Sequence, residues 1–581
     1  MAARQGRHTV AALGATTAAP VPRVSAGKPP AAAAPATSPP AAAAHGGASA
    51  YPQLAARIRS SMDESASACD DFYRYACGGW VKRARLKPSQ SQVVRPFTKL
   101  ATSNAALAHE ILHKGDGGGA LLSTYYRSCM DEAAIDAAGT APLARLLGLI
   151  DEAANIFALT YVAGKLQRVG VHCFFGLSVA PDPTDSRRNL IWIGQKGLGM
   201  PGRSFYLGKA KAARFRQPYV AHVAAMLGML AGDGGRHEEA AVAIYDFEVQ
   251  LAKAMLPRTA TMDPRKYKGL SLAALQKLSP GIEWSAVCEG AGLPLGIKAR
   301  AHARGRKHAA AAAGGEEQAD DDAPEFLAVA PAYVAALSKL LGATPYSTLQ
   351  SYARFRLARN FGALLPTHMR REHFAFYYQT LRGQKAPVAR DRECSSMATL
   401  YLGDALGERF VRLIDAAGSK AAASDLLARL KAELGEDLKR GGAAGWMGGE
   451  ARRAAQRKLG RLEMLVGYPA HFDKYAPLRS PSGGTKLAPG TYLANTMRIA
   501  ALAFDDAAKS LTRPVDRTKW SVPPSLANAY YDRSRNAMVV PAGILQPPMF
   551  DAHAPAVLNF GSIGTVVGHE MTHGFDAMGR M

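Results

Sequence analysis

Gly561-Ser562-Ile563-Gly564-Thr565-Val566-Val567-Gly568-His569-Glu570-Met571-Thr572-His573-Gly574-Phe575-Asp576 is the stretch on which the reading of this 581-residue chain turns. Its apolar residues Ile563, Val566 and Val567 recur at helical spacing, Gly561-Ser562 offers a start and Gly574 a stop, so a helix is expected through His573. Gly564 and Gly568 each cost a helix about 1 kcal/mol relative to Ala, which predicts close packing against another backbone or else an irregular N-terminal half of the helix. On such a helix residues i and i+4 share a face, so His569 and His573 can offer two imidazole nitrogens to one metal ion, as a zinc site requires. Glu570 stands one step round the helix, where its carboxylate can take a proton from an attacking water without becoming a ligand.

Outward from this stretch, Asn528-Ala529-Tyr530-Tyr531 and Met538-Val539-Val540 flank a polar turn, Asp532 to Asn536, and predict a hairpin. Further upstream, Ala421, Leu426, Leu427, Leu430 and Leu434 repeat at three- and four-residue spacing, the mark of a helix with one buried face. Two stretches read differently. Residues 1–62 hold no acid before Asp63 and carry Ala and Pro runs, a composition shared by disordered tails and leader peptides, of which the plain tail is the favoured reading. Residues 301–324 place a basic cluster before an Ala run and an acidic one, and read as a surface insertion.

With 71 Lys+Arg against 47 Asp+Glu the formal charge is +24, yet the basic residues are scattered and no nucleic-acid-binding motif accompanies them. A nucleic-acid partner is therefore not expected, and the charge reads as a solvated surface. No run of about 18 apolar residues occurs, so no transmembrane segment is expected. The six cysteines form no CxxC pair, which removes zinc-ribbon and thioredoxin-type sites. If the stretch from Cys69 to Cys77 is helical, its ends are roughly 12 Å apart along the axis, beyond the approximately 7 Å reach of a disulfide between Cα atoms.

Blocks spread along the chain resemble the neprilysin-type zinc endopeptidases, peptidase family M13. They include Cys69-Asp70-Asp71-Phe72-Tyr73-Arg74-Tyr75-Ala76-Cys77-Gly78-Gly79-Trp80, Tyr126-Arg127-Ser128-Cys129-Met130-Asp131, Gly197-Leu198-Gly199-Met200-Pro201, Gly467-Tyr468-Pro469 and Val515-Asp516-Arg517. The densest are Asn528 to Tyr531, Pro541-Ala542-Gly543-Ile544-Leu545-Gln546-Pro547-Pro548 and Gly568 to Asp576.

The resemblance implies a mainly α fold with an α+β part, a large helical domain over 63–520 and the start of a thermolysin-like zincin catalytic domain over 521–581. It implies one zinc ion held by His569 and His573, Glu570 as general base, Asp576 close behind the ligands, and Asn528 and Ala529 as peptide-binding residues on an edge strand. An extended peptide beside such a strand gains main-chain hydrogen bonds, and Asn528 can donate and accept at once. The expected substrates are oligopeptides. Cys129 is implied to pair with Cys394, Cys69 and Cys77 to pair with cysteines of the family's carboxy-terminal region expected beyond Met581, and Cys173 and Cys288, without counterparts, read as buried thiols.

The family's third zinc ligand, a Glu of a Glu-x-x-x-Asp motif, and its oxyanion-stabilising His and Arg belong beyond Met581. The expectation is therefore the first part of a peptidase that itself binds zinc weakly and cleaves little. The alternative is a non-catalytic, peptide-binding relative. The cysteines and the resemblance favour an oxidising, extracytoplasmic compartment.

Overall fold

The Leu stripe lies on the helix Ala416–Arg440, whose Ala423, Leu426, Leu427 and Leu438 are buried in one core with Val466, Met538, Val540, Ile563, Val567 and Met571. The computed structural model describes residues 50–580 apart from 96, 114–118, 236, 297–323, 415, 442–445 and 481–483. Most of the stretch expected as a tail, 1–49, and nearly all of the 301–324 insertion lie outside the described residues. The chain divides into two compact units, Met1–Lys87 and Pro88–Met581.

In the first unit, residues 50–61 depart from the tail reading: they form the helix Ala50–Ser61. Ala and Leu are strong helix formers, and a neighbouring helix, Phe72–Arg83, gives this one something to pack on. The paired glycines of the first sequence block explain the fit. A Cβ on Gly79 would sit 2.4 Å from the Met62 carbonyl oxygen and one on Gly78 2.6 Å from the Asp63 Cβ. Asp63 accepts from the Ser65 hydroxyl, Lys82 and Arg74, and these bonds hold its carboxyl well below the ordinary range. The Cys69–Cys77 stretch is helical only from Phe72 on, where Asp71 caps the helix by accepting from Arg74 N at 2.9 Å; Cys69 is an exposed and Cys77 a half-buried free thiol.

In the second unit helices dominate, as the sequence predicts, and the described strands form two small sheets. The first, in the order β1-β2-β4-β3, joins the antiparallel pair β1 (Phe175–Pro181) and β2 (Asn189–Gln195) to β4 (Phe326–Ala328), parallel to β2, and β3 (Lys268–Leu270), antiparallel to β4. The second, in the order β5-β7-β6, contains the expected hairpin. In it β6 (Tyr530–Asp532) runs antiparallel to β7 (Ala537–Pro541), with Asn536 at φ 50° in the turn, and β5 (Glu463–Gly467) pairs with β7 in parallel. This leaves β6 on the edge.

One residue ties the hairpin region to the helices. Asn104, on the helix Phe97–His113, donates to the Ser525 and Gly543 carbonyls at 3.0 and 2.9 Å and accepts from Gln546 at 3.0 Å. A Cβ on Gly543 would come within 2.5 Å of the Ser525 oxygen, so the Ala542-Gly543 block needs its glycine. The disulfide Cys129–Cys394, with its Cα atoms 5.7 Å apart, joins the helix Gly119–Met130 to the helix Arg390–Tyr401, as the resemblance implies. Cys173 and Cys288 are buried free thiols, each pushed up to about 12 by burial. Among the described residues no single helix is long and apolar enough to cross a membrane.

Candidate active site

The site helix does not begin at Gly561-Ser562. Helical turns start at Ala556, widen into a π-turn at Phe560–Gly564 and continue as the α-helix Thr565–Thr572. Ser562 is no cap because its hydroxyl lies 2.7 Å from both the Leu558 carbonyl oxygen inside the run and the Met549 carbonyl oxygen before it. The close packing expected at Gly568 is also absent: a Cβ there would meet nothing within 4 Å among the described residues. Gly564 belongs to the wide turn, where a Cβ would sit 3.3 Å from the Asn559 carbonyl oxygen of its own helical run and not against another backbone. The stop falls as expected, with Gly574 N bonding back to Met571 O at 3.1 Å.

Val567 and Met571 anchor one face of this helix in the core, which turns His569, Glu570 and His573 to the other. The two Nε2 atoms lie 3.1 Å apart. Behind His573, Nδ1 donates to Asp576 Oδ2 at 2.8 Å, so Nδ1 carries the proton and Nε2 presents its lone pair toward His569. Asp576 is tied in turn by the backbone N–H groups of Met578 and Gly579 and by Arg533 Nη2 at 3.1 Å. Burial alone would raise this carboxyl, but the His573, Gly579, Met578 and Arg533 hydrogen bonds outweigh it and set it at about 2. Asp576 thus stands behind a ligand candidate and does not face the same space.

Glu570 is held from the sheet side: Tyr531 N on the outer edge of β6 donates to its Oε2 at 3.0 Å. Burial raises its carboxyl above the ordinary value, with His573 and His569 opposing. Asn528 and Ala529 lie just ahead of β6. Ala529 packs in the core at 2 % exposure, while Asn528 is half-buried.

Donor atoms of His569, Glu570 and His573 all fall within 4.8 Å of one another. Zinc–imidazole bonds of about 2.0–2.1 Å in a tetrahedron place two ligand nitrogens about 3.3 Å apart. The 3.1 Å spacing, with a carboxylate fixing the tautomer of His573, fits such an ion. Three participants escape motif reading: Arg533, which looks like an ordinary turn residue; Tyr531, whose contribution is a backbone N–H; and Lys458, which reaches the Gly579 carbonyl from a distant helix. Only the charge of Arg533 in a turn beside the motif offered a signal.

Residues 68–469 match a profile of peptidase family M13, and residues 528–581 match a second profile of the same family. The chain belongs to peptidase family M13. Among M13-type relatives it is 30% identical over 543 residues to endothelin-converting enzyme 1 of Mus musculus, covering 91% of this chain and 67% of that enzyme. The crystal structure of Mycobacterium tuberculosis zinc metalloprotease ZMP1 in complex with inhibitor superposes with a TM-score of 0.76 at 29% identity, over 90% of this chain and 74% of that one. PepO from Lactobacillus rhamnosis HN001 shares the fold at a TM-score of 0.72 and 21% identity, over 88% of this chain and 77% of that one.

Proposed function

We propose that this M13 chain carries the metal-holding helix of a zinc metalloendopeptidase acting on oligopeptides, with the catalytic segment beginning near residue 521. The observation that carries the reading is the convergence of the His569 and His573 Nε2 atoms, 3.1 Å apart, beside a carboxylate tethered to an edge strand. Zinc bound there supplies Lewis-acid polarisation of the scissile carbonyl and of a water. An extended peptide lies along the free edge near Asn528 and Ala529, where main-chain hydrogen bonds set its direction and the Asn528 amide adds a donor and an acceptor. Because Tyr531 N–H fixes one oxygen of Glu570, the other is free to take the proton from the attacking water and return it to the leaving amine. Arg533 and Asp576 act only through the orientation of His573.

An oxidising, extracytoplasmic location belongs to the same proposal and is supported by the Cys129–Cys394 bond. The test is Glu570→Gln in the full chain. Loss of peptide hydrolysis with zinc binding retained supports the reading; hydrolysis unchanged by the substitution sinks it. A wild-type chain that binds peptide without cleaving it favours the alternative of a non-catalytic peptide binder.

A further inference from the structure

Residues 109–113 read His109-Glu110-Ile111-Leu112-His113, a second pair of imidazoles four residues apart, at the end of the helix Phe97–His113. Ile111 and Leu112 are 4% exposed and hold one face in the core. His109 is turned against the first two turns of the helix Arg390–Tyr401, and its two ring nitrogens meet two different groups there.

The partners of the two nitrogens fit one tautomer. The Ser395 hydroxyl has one proton and gives it to the Asp391 carbonyl at 2.8 Å, so toward His109 Nδ1 at 3.1 Å it can only accept. The tautomer that suits these partners has its hydrogen on Nδ1. His109 Nε2 faces Asp391 Oδ2 at 3.5 Å, too long for a hydrogen bond. In a neutral imidazole this sets two lone pairs against each other. A cation between them resolves the clash, and 3.5 Å is close to the ligand-to-ligand spacing of about 3.4 Å around a tetrahedral zinc bound by nitrogen and oxygen.

We propose that His109, His113 and Asp391 form a second site for a divalent transition metal, distinct from that of His569 and His573. The Asp391 carboxylate is already oriented for metal binding, because Arg392 N occupies its Oδ1 at 2.8 Å and so directs Oδ2 to His109. His113 is exposed, with its ring stacked beside that of His109 at 5.6 Å between centroids; its nitrogens do not converge with those of His109 and Asp391 as the side chain stands, and the site requires it to change rotamer toward them. The Arg392 Nε lies 3.8 Å from Asp391 Oδ2 on a side chain 46% exposed, and it gives way to water when the metal enters. The disulfide at Cys394 lies one turn from Asp391, so the carboxylate is presented by a pinned helix. Two imidazoles and one carboxylate suit zinc, cobalt, nickel or copper better than calcium or magnesium. Bound metal clips the two helices together.

Equilibrium dialysis of the full chain against zinc tests this. With His569→Ala and His573→Ala in place, the chain is expected to keep one zinc, and adding His113→Ala or Asp391→Asn is expected to weaken that zinc by an order of magnitude or more. His113 is exposed, so its removal leaves the fold intact, and circular dichroism checks this. Two results overturn the proposal: a His569→Ala, His573→Ala chain that retains no zinc, which leaves a proton as the cation between His109 and Asp391, or a retained zinc indifferent to His113→Ala and Asp391→Asn alike.

Discussion

Glu248 and Glu570 are both glutamates on helices of the same unit, and their surroundings could hardly differ more. Glu248 is 0% exposed; its Oε2 accepts from the Tyr206 and Tyr219 hydroxyls at 2.6 and 2.7 Å and its Oε1 from Gly199 N at 3.0 Å, with Arg356 supplying the nearby positive charge. Glu570 is half-buried and has one backbone donor, beside two imidazoles. Burial raises both carboxyls. The lesson is that a shifted acid marks chemistry only when an oxygen is left to do it; Glu248 has spent both of its oxygens on holding the helical core. The glycines of the Gly197–Pro201 block belong to that core. A Cβ on Gly199 would lie 1.8 Å from the Tyr219 hydroxyl, and Gly197, at φ 117°, would press one to 2.3 Å from the Cys173 oxygen.

The sharpest way to break this contrast is to remove each acid in turn. Glu570→Gln is expected to lower the kcat of whatever peptide hydrolysis the chain performs, small as that is expected to be, by about 10²–10⁴-fold with the melting temperature unchanged, the ordinary worth of a general base. Glu248→Ala is expected to do the reverse, costing about 3–5 kcal/mol by denaturant unfolding because Arg356 and two buried hydroxyls lose their partner, with zinc binding unaltered. Should Glu248→Ala be neutral for stability, the division of labour fails.

Smaller effects refine it. Asp576→Asn is expected to weaken zinc binding by roughly 10–100-fold through loss of the tautomer and orientation of His573, read by competition with a chelator. The helical core, unlike the site, also carries buried neutral histidines. His222 and His373 are 1% and 3% exposed, and burial lowers both, with Glu372 at 2.8 Å partly opposing at His222. Below about pH 6.5 the unfolded chain takes up protons that these folded imidazoles refuse, so stability falls as pH falls, by at most about 1.4 kcal/mol per unit for each group. Replacing His373 by Gln should flatten that slope by one proton; an unchanged slope would show that His373 protonates in the folded state.

What could be read in advance follows the range of the interactions. The His569-Glu570-His573 constellation, the hairpin and the Leu stripe are local patterns with periods of two or four residues, and all three take the expected backbone form. The site helix starts upstream of Gly561-Ser562 because the Ser562 hydroxyl meets the carbonyls of Leu558 in the helical run and of Met549 before it instead of capping a first turn. The first sheet left no local trace, since β2 and β4 pair from opposite sides of more than a hundred residues and β4 is three residues long. Glu248 escaped notice because an acid on a helix looks like a surface residue until its tyrosines, from other elements, arrive.

The Cys129–Cys394 bond divides the same two regions in another way. It closes a loop with a sequence separation of 265 residues that contains every strand of the first sheet and Glu248, while the site helix lies outside it. In the chain-entropy picture such a ring removes about 5–6 kcal/mol of disorder from the unfolded state. That restraint acts on the helical scaffold alone. A protease cut inside the ring leaves its two ends joined and able to re-dock, whereas a cut beyond Cys394 that separates off the site helix releases it from the scaffold for good.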